Sequence, residues 1–202
     1  RDPLGPQLHF ASESFIDECS LAAGADPIEF RLRHIADPRH IAVIRAAAER
    51  ARWQPGPPGA RRHHRGSVMT GRGFAYTPRG QTLVATIVDV EVDPASGRVW
   101  PRRFVVAHDC GLIVNPRTLV HIVEANVVQS TSRALFEEVR FDRRNVTSVD
   151  WITYPILDIV DAPESVDVGL VRSDRPPSGA GEPSSRPTAA AIANAIFDAT
   201  GV

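Results

Sequence analysis

Cysteine is scarce in this chain, with Cys19 and Cys110 the two in 202 residues. They stand far apart and form no metal-spaced pair, which excludes a zinc finger and any iron–sulfur cluster held by this chain's own thiolates. One disulfide or two free thiols would look the same, so the redox compartment is not fixed by them. Long hydrophobic runs are absent too: no stretch approaches the roughly 18–20 apolar residues needed to span a bilayer. Neither sign of charge dominates. The formal net charge is -1, which gives no electrostatic footprint for nucleic acid or an anionic membrane. There is no secretory leader, and the chain opens on Arg1 rather than Met. That start points to a processed terminus, a fragment or a longer precursor, and it leaves cytoplasm and periplasm both open.

What is present suffices for a buried core. Hydrophobic residues make up 43% and charged residues 23%, the balance of a globular fold rather than of a disordered tail or coiled coil. Residues 1–53 read as a helical segment. "ESFIDECSLAAGADP" places Phe15, Ile16 and Leu21 at helical spacing, Asp26 and Pro27 open a second helix, and "RHIAVIRAAAERARW" carries a third with Ile41, Ile44 and Ala48 on one face. Residues 54–67, "QPGPPGARRHHRGS", break the order as a proline-stiffened linker whose basic knot, Arg61 to Arg65, reads as a solvated loop.

From residue 68 the period changes to two. Leu83 to Val92 alternates, turns at residues 93–97, and resumes to Val106 as a hairpin, with "GRGFAYTP" as a further strand. A long helix is predicted from Pro116, with a weak point over 126–132. "SVDVGLVRS" predicts a short strand, and "RPTAAAIANAIFDAT" a buried last helix ended by Gly201. Helices, linker, strands, helix, strand, helix make an α+β unit with mixed sheets and packed helices, not a βαβ repeat.

Three stretches could carry chemistry. In "GAGEPSSRP" the glycines at 179 and 181 let the backbone approach a ligand, and Pro183 stiffens the exit. Ser184 or Ser185 would cap the last helix, and Glu182 would sit near the core, where desolvation raises a carboxyl pKa and makes a useful base. The motif alone serves equally well for a partly exposed glutamate bonded to helix amides. In "AHDCGLIVNP" a hydrophobic strand ends at Asp109, Cys110 and Gly111, and Asn115 leads into the long helix. Cys110 reads as a small buried residue at a turn rather than a nucleophile, because His108 is too near in sequence to serve as its base. In "RDPLGPQLHF" the amide of Gln7 could meet a planar heterocycle with donor and acceptor together. Gly71-Arg72-Gly73 lacks the spacing of a phosphate loop.

Taken in order, "ESFIDECSLAAGADPIEFRLRHI", "AVIRAAAERARW", "DVEVDPASGRVWPRRFVVAHDCGLIVNP" and "GAGEPSSRPTAAAIANAIFDATG" resemble the C-terminal part of the molybdenum-cofactor-binding large subunit of the xanthine dehydrogenase and aldehyde oxidoreductase family. Within it the chain most resembles the branch of isoquinoline oxidoreductase, nicotinate dehydrogenase and bacterial aldehyde dehydrogenase beta subunits. The resemblance implies that residues 1–53 complete a cofactor-binding domain and that 68–202 carry most of it, with a catalytic loop at 179–186. It implies Glu182 as the general base that deprotonates a Mo-OH ligand, while hydride leaves an aldehyde or aromatic N-heterocycle and water supplies the oxygen. It also implies molybdopterin contacts from Arg1, Gln7, Gly111, Asn115, Gln129, Gly181 and Ser184, with the cytosine dinucleotide form of the cofactor left open.

No protein side chain is implied as a metal ligand. Implied partners are a chain bearing the N-terminal half of the molybdenum subunit, an iron–sulfur subunit, and a flavin or cytochrome c acceptor for electron transfer. Ile122, Ala125, Asn126 and Ser130 stand where the family carries Gln and glycines, which leaves a non-catalytic structural subunit as the alternative.

Overall fold

The computed structural model of the chain describes residues 2–202, so the expectation for Arg1 lies outside the described residues. Alternation in the sequence builds a sheet buried on both faces. Strands β2 (Val68–Arg79), β3 (Thr82–Asp93) and β4 (Arg98–Asp109) form an antiparallel meander. Along β3, Val84, Val88 and Val90 point to one face and Leu83, Ala85 and Ile87 to the other, as the two-residue period of a strand requires. Short strand β1 (His63–Arg65) pairs antiparallel with β2, and β5 (Ser165–Leu170) pairs parallel with β4, giving the order β1-β2-β3-β4-β5. A parallel neighbour needs a crossover. Helix α4 (Pro116–Leu135) and the irregular segment 136–164 supply it.

Helices α1 (Gly5–Ala22), α2 (Pro27–His34) and α3 (Pro38–Ala51) precede the sheet, and α5 (Thr188–Thr200) closes the chain. Asp26, Asp37 and Asn115 cap α2, α3 and α4 by accepting from backbone amides two or three residues on, each with proline in the first turn. Val43, Ile44, Ala47 and Ala51 of α3 cover one sheet face, while α4 and α5 cover the other. The result is the expected mixed sheet with packed helices. α4 runs unbroken through 126–132, where a weak point was expected.

Helix α1 departs from its sequence pattern. Phe15 is 64% exposed and Leu21 is exposed, whereas Glu13, Asp17 and Ser20 are buried. The cause is Arg31 of α2, which reaches Glu13 Oε2 at 3.0 Å and Asp17 Oδ1 at 2.8 Å above the ring of Phe74. Glu13 also accepts from the Tyr76 amide at 2.7 Å, so α1 docks through a buried polar cross-link and turns its apolar side outward. The basic knot departs as well. Arg61 is not a solvated loop residue: it stacks 4.3 Å from the Trp53 ring and lies 3.3 Å from the buried Asp198.

Candidate active site

The segment that carries Glu182 is fastened to the sheet before it reaches α5. Ser178 donates its amide to the Cys110 carbonyl at 2.8 Å, and Leu112 donates to the Arg175 carbonyl at 2.8 Å. Thr82, the first residue of β3, bonds to the Ser178 hydroxyl and donates to the Gly179 carbonyl at 2.7 Å. Gly111 belongs to the same seam. Its φ of +78° and the 2.2 Å approach of a built Cβ to the Pro176 carbonyl oxygen leave room for glycine alone.

Beyond Gly179 the chain exposes Gly181, whose carbonyl accepts from Asn126 Nδ2 of α4 at 3.1 Å, and then Glu182. Residues Pro183–Ser185 form a short 3-10 turn. The expected serine caps are not made at the start of α5. Ser185 Oγ bonds back to the Glu182 carbonyl at 2.7 Å, and Thr188 Oγ1 reaches the Ser184 carbonyl at 2.9 Å.

The Glu182 carboxylate is partly buried and held by a guanidinium and a backbone amide. A quarter of its side chain is exposed, and both oxygens are engaged: Oε1 by Arg79 Nη2, and Oε2 by the Asp2 amide at 2.8 Å. Asp2 is itself held by Arg186, through Nε and through Nη2 at 3.1 Å. Burial works against the charge of Asp2, but Arg186, the Gly5 amide and Arg79 together hold its carboxyl below the usual range. Burial and then Arg186 push His9, 3.3 Å from Arg186, below the ordinary histidine value. Arg79 and Asp2 were not singled out by sequence, because they reach Glu182 from the end of β2 and from the segment before α1 and share no motif with it.

The other sequence candidates fall into two groups. Gly181 and Ser184 lie with Glu182 at the middle of α4, and Ser184 is fully buried with its hydroxyl unpartnered among the described residues. Gln7 of α1 shares a cleft of about 260 Å³ with Ser130, Arg133, Ser185 and Phe10. Ser130 Oγ is likewise a buried, unpartnered atom. Gly111 and Asn115 belong instead to the N-terminal end of α4, where Asn115 spends its side chain on the Thr118 amide at 3.0 Å. Gln129 is exposed on α4, about 20 Å along the helix from Asn115 at 1.5 Å per residue. The structure therefore does not bring all the expected cofactor contacts to one point. Cys110 is buried, and burial, with Asp109 beside it, pushes its thiol up, which removes the thiolate a nucleophile needs.

These side chains suit an organic cofactor better than a bare ion. No group of three metal-ligating side chains converges among the described residues, so a metal here would have to arrive with its own ligands. The cleft is lined by the Gln7 amide and the unpartnered Ser130 hydroxyl, and a Cβ added at Gly181 would meet nothing within 4 Å. An amide beside a hydroxyl suits a planar, hydrogen-bonding heterocycle such as a pterin.

Residues 16–163 match the molybdopterin cofactor-binding domain, and the chain belongs to that family. It is 47% identical over 201 residues to one of the subunits of nicotinate dehydrogenase from Pseudomonas putida, covering 96% of this chain and 17% of that protein. It is 30% identical over 196 residues to the beta subunit of isoquinoline 1-oxidoreductase from Brevundimonas diminuta, covering 96% and 24%. Among solved structures, quinoline 2-oxidoreductase from Pseudomonas putida 86 shares the fold, with a TM-score of 0.56 at 22% identity over 59% of this chain and 16% of that one. Aldehyde oxidoreductase from Desulfovibrio gigas gives 0.54 at 26% identity, over 60% and 14%. The chain thus spans less than a quarter of the length of these curated relatives. No helix among the described residues is long and apolar enough to cross a membrane.

Proposed function

We propose that this chain is part of a molybdenum-dependent hydroxylase or dehydrogenase that oxidises an aromatic N-heterocycle, with Glu182 as the proton acceptor. The observation that carries the reading is the position of Glu182. It sits on a loop fastened to the sheet at Thr82 and Cys110, beside Gly181, where no side chain intrudes, and the unpartnered hydroxyl of Ser184. An N-heterocycle is favoured over an aldehyde because the nicotinate enzyme is 47% identical over 96% of the chain, whereas a membrane-bound aldehyde dehydrogenase that aligns along 94% of it is 28% identical. When bound, molybdopterin would supply the two-electron redox chemistry. Gln7, Ser130, Gly181 and Ser184 would hold it, and Glu182 would take the proton released as oxygen transfers to the ring.

Exposed apolar surface supports an assembly with further protein. Segment 136–164 is largely irregular and exposes Trp151 at 76% and Ile152 at 89%, and α1 exposes Leu8 and Phe15. Apolar surface of this extent marks interaction sites, here for the remainder of the molybdenum subunit. Iron–sulfur clusters on a further chain, and a flavin or cytochrome c, would take the electrons. The test is Glu182→Gln in the assembled enzyme, which should keep its molybdenum and its fold yet lose turnover by about 10²–10⁴-fold, the usual share of a positioned base. Near-parent turnover would remove Glu182 from that role and favour a structural subunit.

A further inference from the structure

We propose that Arg79 is the positioning residue of this site, fixing the direction in which Glu182 presents its carboxylate. The inference rests on the reading of Glu182 as proton acceptor and adds a residue to it. Arg79 closes β2 and pairs across the hairpin with Thr82. That one rung grips the loop twice: Thr82 holds it at Ser178 and Gly179, and Arg79 holds it at Glu182. Arg79 is steadied in turn by Asp2, whose Oδ2 lies 3.9 Å from Arg79 Nε and whose carboxylate is forked by Arg186. Charges therefore alternate along Glu182, Arg79, Asp2 and Arg186.

A carboxylate offers about four lone-pair directions. Arg79 uses one on Oε1 and the Asp2 amide one on Oε2, so each oxygen keeps a second, and both remaining directions are set by the two clamps. A base held this way accepts a proton without first searching for its orientation, whereas a glutamate on a glycine-flanked loop would otherwise rotate freely. Arg79 touches the base rather than the reacting atoms, and its effect must pass through Glu182.

The experiment compares Arg79→Gln, Arg79→Lys and Glu182→Gln in the assembled holoenzyme, with Arg98→Gln as a control on an exposed ion pair to Asp161. Arg79→Gln should lower kcat roughly 10- to 100-fold, the scale of an ångström-sized misplacement, with KM near the parent value and molybdenum content unchanged. Crystals of that variant should show the Glu182 carboxylate turned from its Asp2 amide contact. Arg79→Lys, which keeps a donor but loses the fork, should recover part of kcat, and Arg98→Gln should match the parent. If Glu182→Gln is inactive while Arg79→Gln keeps parent kcat, the role of Arg79 is overturned and that of Glu182 stands. If Glu182→Gln is active, both fall. Should Arg79→Gln not assemble, Arg79→Lys decides: lowered kcat at unchanged KM supports the inference, and parent kcat with a displaced carboxylate overturns it.

Discussion

Arg39 and Asp109 meet as a two-pronged ion pair that ties the first turn of α3 to the end of β4, with Nε 2.7 Å from Oδ2 and Nη2 2.8 Å from Oδ1. The Asp109 side chain is 1% exposed, and its Oδ1 also receives the Gly111 amide at 2.9 Å. The hydrogen bonds to Asp109 raise the Arg39 guanidinium above its ordinary range, against the opposing effect of burial. Arg39→Met would leave a buried carboxylate with an amide as its remaining donor, at a cost of about 3–5 kcal/mol. Asp109→Asn together with Arg39→Met should cost less than the two singles combined, because the stranded charge is gone. Chemical denaturation across this double-mutant cycle measures the difference.

Gly71 and Gly73 put α5 directly on the sheet. A Cβ at Gly73 would lie 2.1 Å from the Ala191 carbonyl oxygen, and one at Gly71 would lie 2.4 Å from the Ala199 amide nitrogen. Ala191, Ala195 and Ala199, four apart, supply the matching small face. Gly73→Ala therefore pushes on backbone that cannot yield, at about 1–3 kcal/mol or more. Because α5 follows directly on the Glu182 turn, the same change should depress turnover in the assembled enzyme. Turnover at the parent level in a destabilised Gly73→Ala would show that the turn does not depend on the seating of α5.

The strands β2 to β5, the cap at Asp26 and the start of α4 after Asn115 were legible because each depends on neighbours close in sequence, whereas β1 lies in residues read as linker and forms only by pairing with β2. Hydrophobic alternation at Leu83 to Val92 sets a strand whatever lies elsewhere. The buried face of α1 was not legible. It is chosen by Arg31, which seeks Glu13 and Asp17 across 18 and 14 positions of chain, and no local period encodes that pairing. Arg79 and Asp2 escaped for the same reason, lying 103 and 180 positions from Glu182. Asn126 stood out in the sequence only as a departure from a family glycine. The structure gives it a task at the Gly181 carbonyl.

Arg61 links the segment after α3 to the end of α5. It stacks on Trp53, lies 3.7 Å from Asp26 and 3.3 Å from Asp198, and burial pulls its guanidinium below the ordinary arginine range. Arg61→Lys should not substitute, since an ammonium cannot stack on the indole while reaching both carboxylates. Arg61→Lys and Arg61→Ala should lose similar stability by thermal denaturation, and a Lys variant as stable as the parent would show that charge alone suffices.

His108 and Asp17 make opposite demands on pH over nearly one window. His108 is fully buried with both ring nitrogens unpartnered among the described residues, and burial pulls its pKa down to about 4 against a weaker upward pull from Asp109. Unfolded, the ring titrates near 6.5. Between those values the unfolded chain binds the extra proton, so His108 costs stability as pH falls from about 6.5 to 4. Asp17 behaves inversely. Burial pushes its carboxyl up to about 6, with Arg31 opposing and Glu13 assisting, so the folded chain binds the extra proton and stability falls as pH rises toward 6. Each shift exceeds two units, or about 3 kcal/mol if fully expressed, and the two nearly cancel in the parent. His108→Phe should therefore gain stability relative to the parent on acidification through this window, and Asp17→Asn should lose it. Urea denaturation at pH 4.5, 5.5 and 7 separates the cases: the two difference curves should slope in opposite senses, and parallel curves would mean that neither group titrates abnormally in the folded chain.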